Sequence, residues 1–98
     1  MDSGELVFSL GETDRGVGTS LLSEVIKVAE GAGCKRVCLT TTNDNIKALE
    51  FYQNRGFALV AIHRGAVDRA RTIKPSIPRV SPAGIPIKDE IELELSLT

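Results

Sequence analysis

The chain holds no tryptophan, one tyrosine, one histidine and two cysteines in 98 residues. Each scarcity excludes something. His63 with Cys34 and Cys38 cannot complete a four-ligand zinc site, so no metal is expected. Four residues apart in an extended segment, the two cysteines lie too far from one another for a local disulfide. They read as reduced thiols that pack as small apolar groups. No basic excess exists either: 12 Lys plus Arg stand against 13 Asp plus Glu, a formal net charge of -1, which argues against nucleic acid as a partner. No apolar run approaches the length of a membrane span, and no basic stretch leads into a signal-type apolar core. A cytoplasmic protein without membrane contact is the expectation. Internal repeats, low-complexity tracts and linkers are absent. A chain of this length makes one small domain that buries only about 60 to 68% of its unfolded surface.

What is present changes period along the chain. Leu6 to Leu10 is an apolar, strand-like run. Leu21, Leu22, Val25, Ile26, Val28 and Ala29 recur at helical spacing from near Val17 to Gly31 or Gly33, where two glycines suit a helix stop. Arg36 to Thr41 is short and rich in β-formers. Asn43 and Asp44 offer caps for a second helix whose stripe is Ile46, Ala48, Leu49 and Tyr52, ending at Gly56. Phe57 to Ile62 reads as a buried strand. Two successive strand-helix-strand units argue for an α/β layer with parallel pairing. Gly65 to Ile73 suits a short helix, and Pro75, Pro78, Pro82 and Pro86 exclude regular helix up to Ile87. Finally Ile91, Leu93, Leu95 and Leu97 alternate with Glu90, Glu92, Glu94 and Ser96, a strand with one apolar and one acidic face. The acidic row reads as a solvated face, with attraction of a cationic substrate as the alternative. His63 reads as a strand-end surface residue.

The turn Asp14-Arg15-Gly16-Val17-Gly18-Thr19 lies between the first strand and the first helix. Such a turn aims unpaired backbone N–H groups and the positive end of a helix at one point, a seat for a phosphate. A tight strand-to-helix connection explains the same glycines. A dinucleotide fingerprint would need a third glycine where Leu21 stands and an acid where Thr40, Thr41 and Thr42 stand, and a nucleotide P-loop would need Gly-Lys-Ser/Thr. Both are missing.

Arg15-Gly16-Val17-Gly18-Thr19-Ser20-Leu21-Leu22, followed by Asn45-Ile46-Lys47-Ala48-Leu49-Glu50-Phe51-Tyr52-Gln53-Asn54-Arg55-Gly56-Phe57, resembles the signature of the GNAT family of N-acetyltransferases. That signature pairs an Arg-Gly-x-Gly-x-x-Leu-Leu turn with a later Asn-x-x-Ala-x-x-Phe-Tyr-x-x-x-Gly-Phe. The resemblance implies a GNAT-like mixed sheet, in the order strand-helix-strand-helix-strand-short helix and loop-strand. It covers the C-terminal, cofactor-binding half of the family's domain, so the usual N-terminal half is expected to be missing from residues 1–98.

The resemblance also implies a ligand and a set of residues. Acetyl-CoA is the expected acyl donor, with Thr13, Asp14, Arg15, Gly16, Val17, Gly18 and Thr19 around its pyrophosphate. Thr13 stands where the family pattern has Gln or Arg, and Arg15 supplies a charge nearby. Phe8, Ser9 and Leu10 are expected to splay from the next strand and pair with pantetheine amides. Asn45 corresponds to the residue that contacts the pantetheine arm, and helix-start chemistry is its other reading. Tyr52 corresponds to the general acid that protonates the departing thiolate, and a core tyrosine is its other reading. Ala48, Phe51 and Phe57 read as packing. The base is open between carboxylates such as Glu5 or Glu12 and a water relay. An unidentified small amine or peptide amine is the acceptor. A strand edge exposed at Leu6 to Leu10 and an apolar helix face imply a homodimer, or a chain truncated from a longer protein. A coenzyme A binding module without acceptor chemistry, and an interaction domain that keeps only the fold, are the alternatives.

Overall fold

The computed structural model describes residues 7–12 and 19–97. In chain order these form β1 (Val7–Glu12), α1 (Thr19–Gly31), β2 (Arg36–Thr42), α2 (Ile46–Asn54), β3 (Ala58–His63), α3 (Ala66–Ile73) and β4 (Glu90–Ser96). The order of elements is the one the sequence predicts. The sheet is mixed, with strand order β1-β2-β4-β3.

Among the described strands only β1 and β2 pair in parallel. The expected parallel pairing of the second strand-helix-strand unit is corrected here, because β4 lies between β2 and β3 and runs antiparallel to both. The period-2 pattern of β4 foreshadows this position. Its apolar residues supply the middle of the core, with Leu93 fully buried opposite Leu39 on β2. A strand in an antiparallel pair can keep one apolar and one polar face.

The helix stripes are narrower than expected. In α1, Leu22 and Ala29 are buried with Val25 and Ile26 packed beside them, whereas Val28 is 57% exposed. Val28 lies six residues after Leu22, which turns it about 240° away from it at 100° per residue. In α2, Ala48 and Tyr52 are buried and Ile46 is exposed. Both helices stop as the glycines direct. Gly33 and Gly56 have φ of 80° and 96°, a left-handed conformation that side chains resist. The core unites Leu22, Ala29, Val37, Leu39, Ala48, Tyr52, Phe57 and Leu93.

The apolar β3 is not a buried strand. It forms an edge of the sheet, and Leu59, Val60 and Ile62 are 45%, 50% and 63% exposed. Phe57, just before it, is the residue that enters the core. A register shift between Leu59 and Ala61 inserts Val60 as an extra residue, so that Leu59 faces Leu93 and Ile62 faces Ile91 on one side of the sheet.

Between α3 and β4 the proline-rich chain folds back on itself through a bridge between Val80 and Pro86. Two residues hold it. Arg71, buried on α3, donates to the carbonyls of Ile77, Pro78 and Ile87 and pairs with Asp68. Asn43 donates to the Pro86 carbonyl and accepts from the amides of Lys88 and Asp89. Asn43 therefore ties the loop down and does not cap α2.

Candidate functional site

The β1–β2 ladder breaks partway. Val7, Phe8 and Ser9 stand in register with Arg36, Val37 and Cys38, and pairing resumes only at Glu12 opposite Thr40. Two residues of β1, Leu10 and Gly11, thus oppose the single residue Leu39. A bulge of this kind locally interrupts the ladder and leaves backbone groups without strand partners. Phe8 and Ser9 stay in register with β2, contrary to the expected splay; the opening begins at Leu10.

Beyond β1 the chain enters α1 at Thr19, whose first turn leaves amides without intrahelical acceptors. The expected phosphate-binding residues Thr13, Asp14, Arg15, Gly16, Val17 and Gly18 lie outside the described residues. Thr19 is the first residue of the helix.

Asn45 is the cap of α2. Its Oδ1 accepts from the Ala48 amide at 3.2 Å, the bond that gives asparagine its preference for this position. About two turns further on, Tyr52 is fully buried. Its ring meets Phe51 and Phe57 edge to face, with centroids 5.3 and 5.7 Å apart. Leu39, which faces the break in the ladder, belongs to the same core cluster as Tyr52. The Arg55 guanidinium covers Phe51 at 4.1 Å from the ring centre. Ala48 and Phe57 are buried, as packing residues should be.

The acidic row of β4 is less solvated than its composition suggests. Glu94 lies 2.7 Å from Arg36 Nη1 on β2, and Glu92 lies 2.9 Å from His63 Nε2 on β3. These pairs tie the central strand to both neighbours. Cys38 shares that face and donates to Glu94 Oε2 at 3.7 Å. Burial, then the Glu94 charge, push its thiol above the ordinary range. At neutral pH it stays protonated and is no nucleophile. His63 is a strand-end residue with a half-exposed side chain, as expected. Among the described residues no group of three or more His, Cys, Asp or Glu is placed to hold a metal ion, and no helix is long and apolar enough to cross a membrane.

Outside the carboxyl end of β2 lies a cleft of about 950 Å³. Thr42 and the first residues of α2 form one wall, and the proline-rich loop from Lys74 to Ile87 forms the other. Open sheets commonly seat ligands beyond the carboxyl ends of their strands. Arg71 and Asn43, which shape that wall, escape a sequence reading. A charged residue on a short helix and an asparagine before a helix both look like solvent-facing chemistry, and nothing in their spacing announces the distant carbonyls they hold.

A parallel strand pair interrupted by a bulge is thus followed by a helix that starts at Thr19 and by an asparagine-capped second helix that carries a buried tyrosine. The sequence model of the Acetyltransferase (GNAT) family matches residues 7–57, just over half of the chain. The chain belongs to this family. It is 49% identical over 78 residues to the Bacillus subtilis protein YdhI, described as uncharacterized, a match that covers 80% of this chain and 49% of that protein. The chain thus spans about half the length of the curated relatives it matches. Among solved structures, an acetyltransferase described as IAA acetyltransferase from Bacillus cereus superposes with a TM-score of 0.72 at 26% identity, over 84% of this chain and 51% of the other. A GNAT acetyltransferase from Elizabethkingia anophelis with acetyl-CoA bound gives a TM-score of 0.67 at 28% identity, over 87% and 52%.

Proposed function

We propose that this chain is the cofactor-binding half of an acetyl-CoA-dependent N-acetyltransferase acting on a small amine or peptide amine. The observation that carries this reading is the break in the β1–β2 ladder at Leu10 and Gly11, at the strand that leads into the family's glycine turn. Unpaired backbone groups there suit a ligand that adds itself to the strand. The structure of the Elizabethkingia anophelis relative with acetyl-CoA bound supports the same ligand for this chain.

Bound acetyl-CoA supplies an acetyl group activated as a thioester. The backbone of Leu10, at the bulge, lines its pantetheine arm. Thr13, Asp14, Arg15, Gly16, Val17, Gly18 and Thr19 hold the phosphates through backbone amides and the positive end of α1. Asn45, besides capping α2 through Oδ1, contacts the pantetheine arm. Tyr52, which shares a core cluster with Leu39 opposite the bulge, donates a proton to the leaving sulfur. No metal is required.

The chain works in the cytoplasm, a reading its two free cysteines suit. It forms a homodimer through its apolar sheet edge. Release of free thiol from acetyl-CoA in the presence of a panel of amines tests the activity. Binding of acetyl-CoA without thiol release with any amine would leave a binding module in its place.

A further inference from the structure

We infer that the cleft beside α2 receives an acceptor bearing both a cationic amine and an anionic group, an amino-carboxylate. The inference rests on the acetyltransferase reading and specifies its substrate class.

The cleft has the volume of a small-molecule site, for which about 300 to 1,000 Å³ is usual. Its outer wall is fixed before any ligand arrives. Arg71 holds the carbonyls of Ile77, Pro78 and Ile87, Asn43 holds Pro86, Lys88 and Asp89, and Ser81 accepts from the Ile85 amide. A wall ordered in advance costs little entropy on binding.

Three charged side chains line this space: Asp44, Lys47 and Lys74. None of them forms an ion pair among the described residues. Asp44 Oδ1 is shut off from solvent and has no hydrogen-bond partner. A carboxylate with one oxygen already stripped of water has lost part of its hydration in the folded protein, so an ammonium gains more from meeting it than from meeting a hydrated acid. Lys47 sits on α2 and Lys74 just after α3, on opposite walls. A simple amine would satisfy Asp44 and leave two uncompensated lysines. A simple anion would meet the lysines and be opposed by Asp44. A ligand with both charges answers all three, and Ile46, Ile77 and Ile85 offer apolar contact to the carbons between them.

The test uses the whole chain saturated with coenzyme A, titrated with glycine, β-alanine, 4-aminobutyrate and 6-aminohexanoate, and with n-butylamine and butyrate as single-charge controls. Binding is read from backbone amide resonances. At least one amino-carboxylate is expected to bind about tenfold tighter than both controls, moving the amides of residues 44–47 and of Lys74, Ser76 and Ile77. Lys74→Gln, at an exposed site, and Asp44→Asn are each expected to abolish that preference. If no amino-carboxylate exceeds the controls, or if shifts appear elsewhere on the molecule, the cleft is not an amino-carboxylate site. Coenzyme A binding in the same samples separates the two levels. Its loss removes the acetyltransferase reading, while its retention without the preference removes only this assignment.

Discussion

Asn45 Oδ1 accepts a hydrogen bond from the Ala48 amide at 3.2 Å, so the residue that the family motif assigns to the cofactor is also the cap of α2. The proposed cofactor contact and the cap can be separated by substitution. Asn45→Ala removes both and is expected to destabilise the fold by about 1 kcal/mol, lowering Tm by about 4 to 8 °C, and to weaken acetyl-CoA binding. Asn45→Asp keeps the cap acceptor and loses the amide donor. Its Tm should stay near the parent value while Kd for acetyl-CoA rises. Thermal denaturation beside calorimetric titration separates the pair, and parallel behaviour of the two variants would reduce Asn45 to a cap.

Tyr52→Phe is expected to lower kcat for thiol release at least tenfold and to leave acetyl-CoA affinity unchanged. The ring stays, so packing against Phe51 and Phe57 is preserved. An unchanged rate would return Tyr52 to the role of a core aromatic.

Arg71 holds three carbonyls and one carboxylate from a buried position. Arg71→Met leaves those carbonyls without their donor, at a cost of about 3 kcal/mol. Hydrogen exchange should report the loss as faster exchange at Ser81 and Ile87, whose amides bond within the loop. Full retention of protection there would show that the prolines alone shape the loop.

The raised pKa of Cys38 has a defined sign. The folded state holds the thiol proton more tightly than the unfolded chain, so the associated stability is present below the ordinary value of 9.0 and declines as pH rises through the folded value. Denaturation between pH 8 and 11 is expected to show a falling stability that Cys38→Ala flattens. Glu94→Gln removes one of the causes and should make Cys38 react faster with iodoacetamide near pH 9.

Much of this architecture is legible in residue patterns. Gly33 and Gly56 mark helix ends because a left-handed conformation admits few other residues there. The alternation from Ile91 to Leu97 marks β4, and the motif at Asn45 to Phe57 marks α2. Strand neighbours are a different matter. Ala58 to Ile62 is apolar enough for a buried strand, yet it lies at the edge with Val60 inserted as a bulge. Composition reports burial preference but not which strand arrives beside it, and the insertion of β4 between β2 and β3 depends on contacts made across the whole chain. The cleft is hidden for the same reason, since Asp44 and Lys74 line one space only when the loop is folded back by Arg71 and Asn43.

The homodimer proposed above has a specific candidate surface in the exposed edge of β3. Ile62→Lys and Leu59→Lys place charges on an edge strand, a device that discourages edge-to-edge pairing. Both sites are already exposed, so the monomer should change by no more than about 0.5 kcal/mol. Light scattering is expected to give twice the chain mass for the parent and the chain mass for the variants. A monomeric parent would remove the dimer.

In the function proposed here, the interrupted β1–β2 pair and the glycine turn seat coenzyme A. Calorimetric titration of the chain with acetyl-CoA tests this most directly. One site per chain is expected and, at a hundredfold excess of ligand over Kd, a stabilisation of about 2.7 kcal/mol seen as a rise in Tm. Titration without heat, together with an unmoved Tm at millimolar acetyl-CoA, would contradict it.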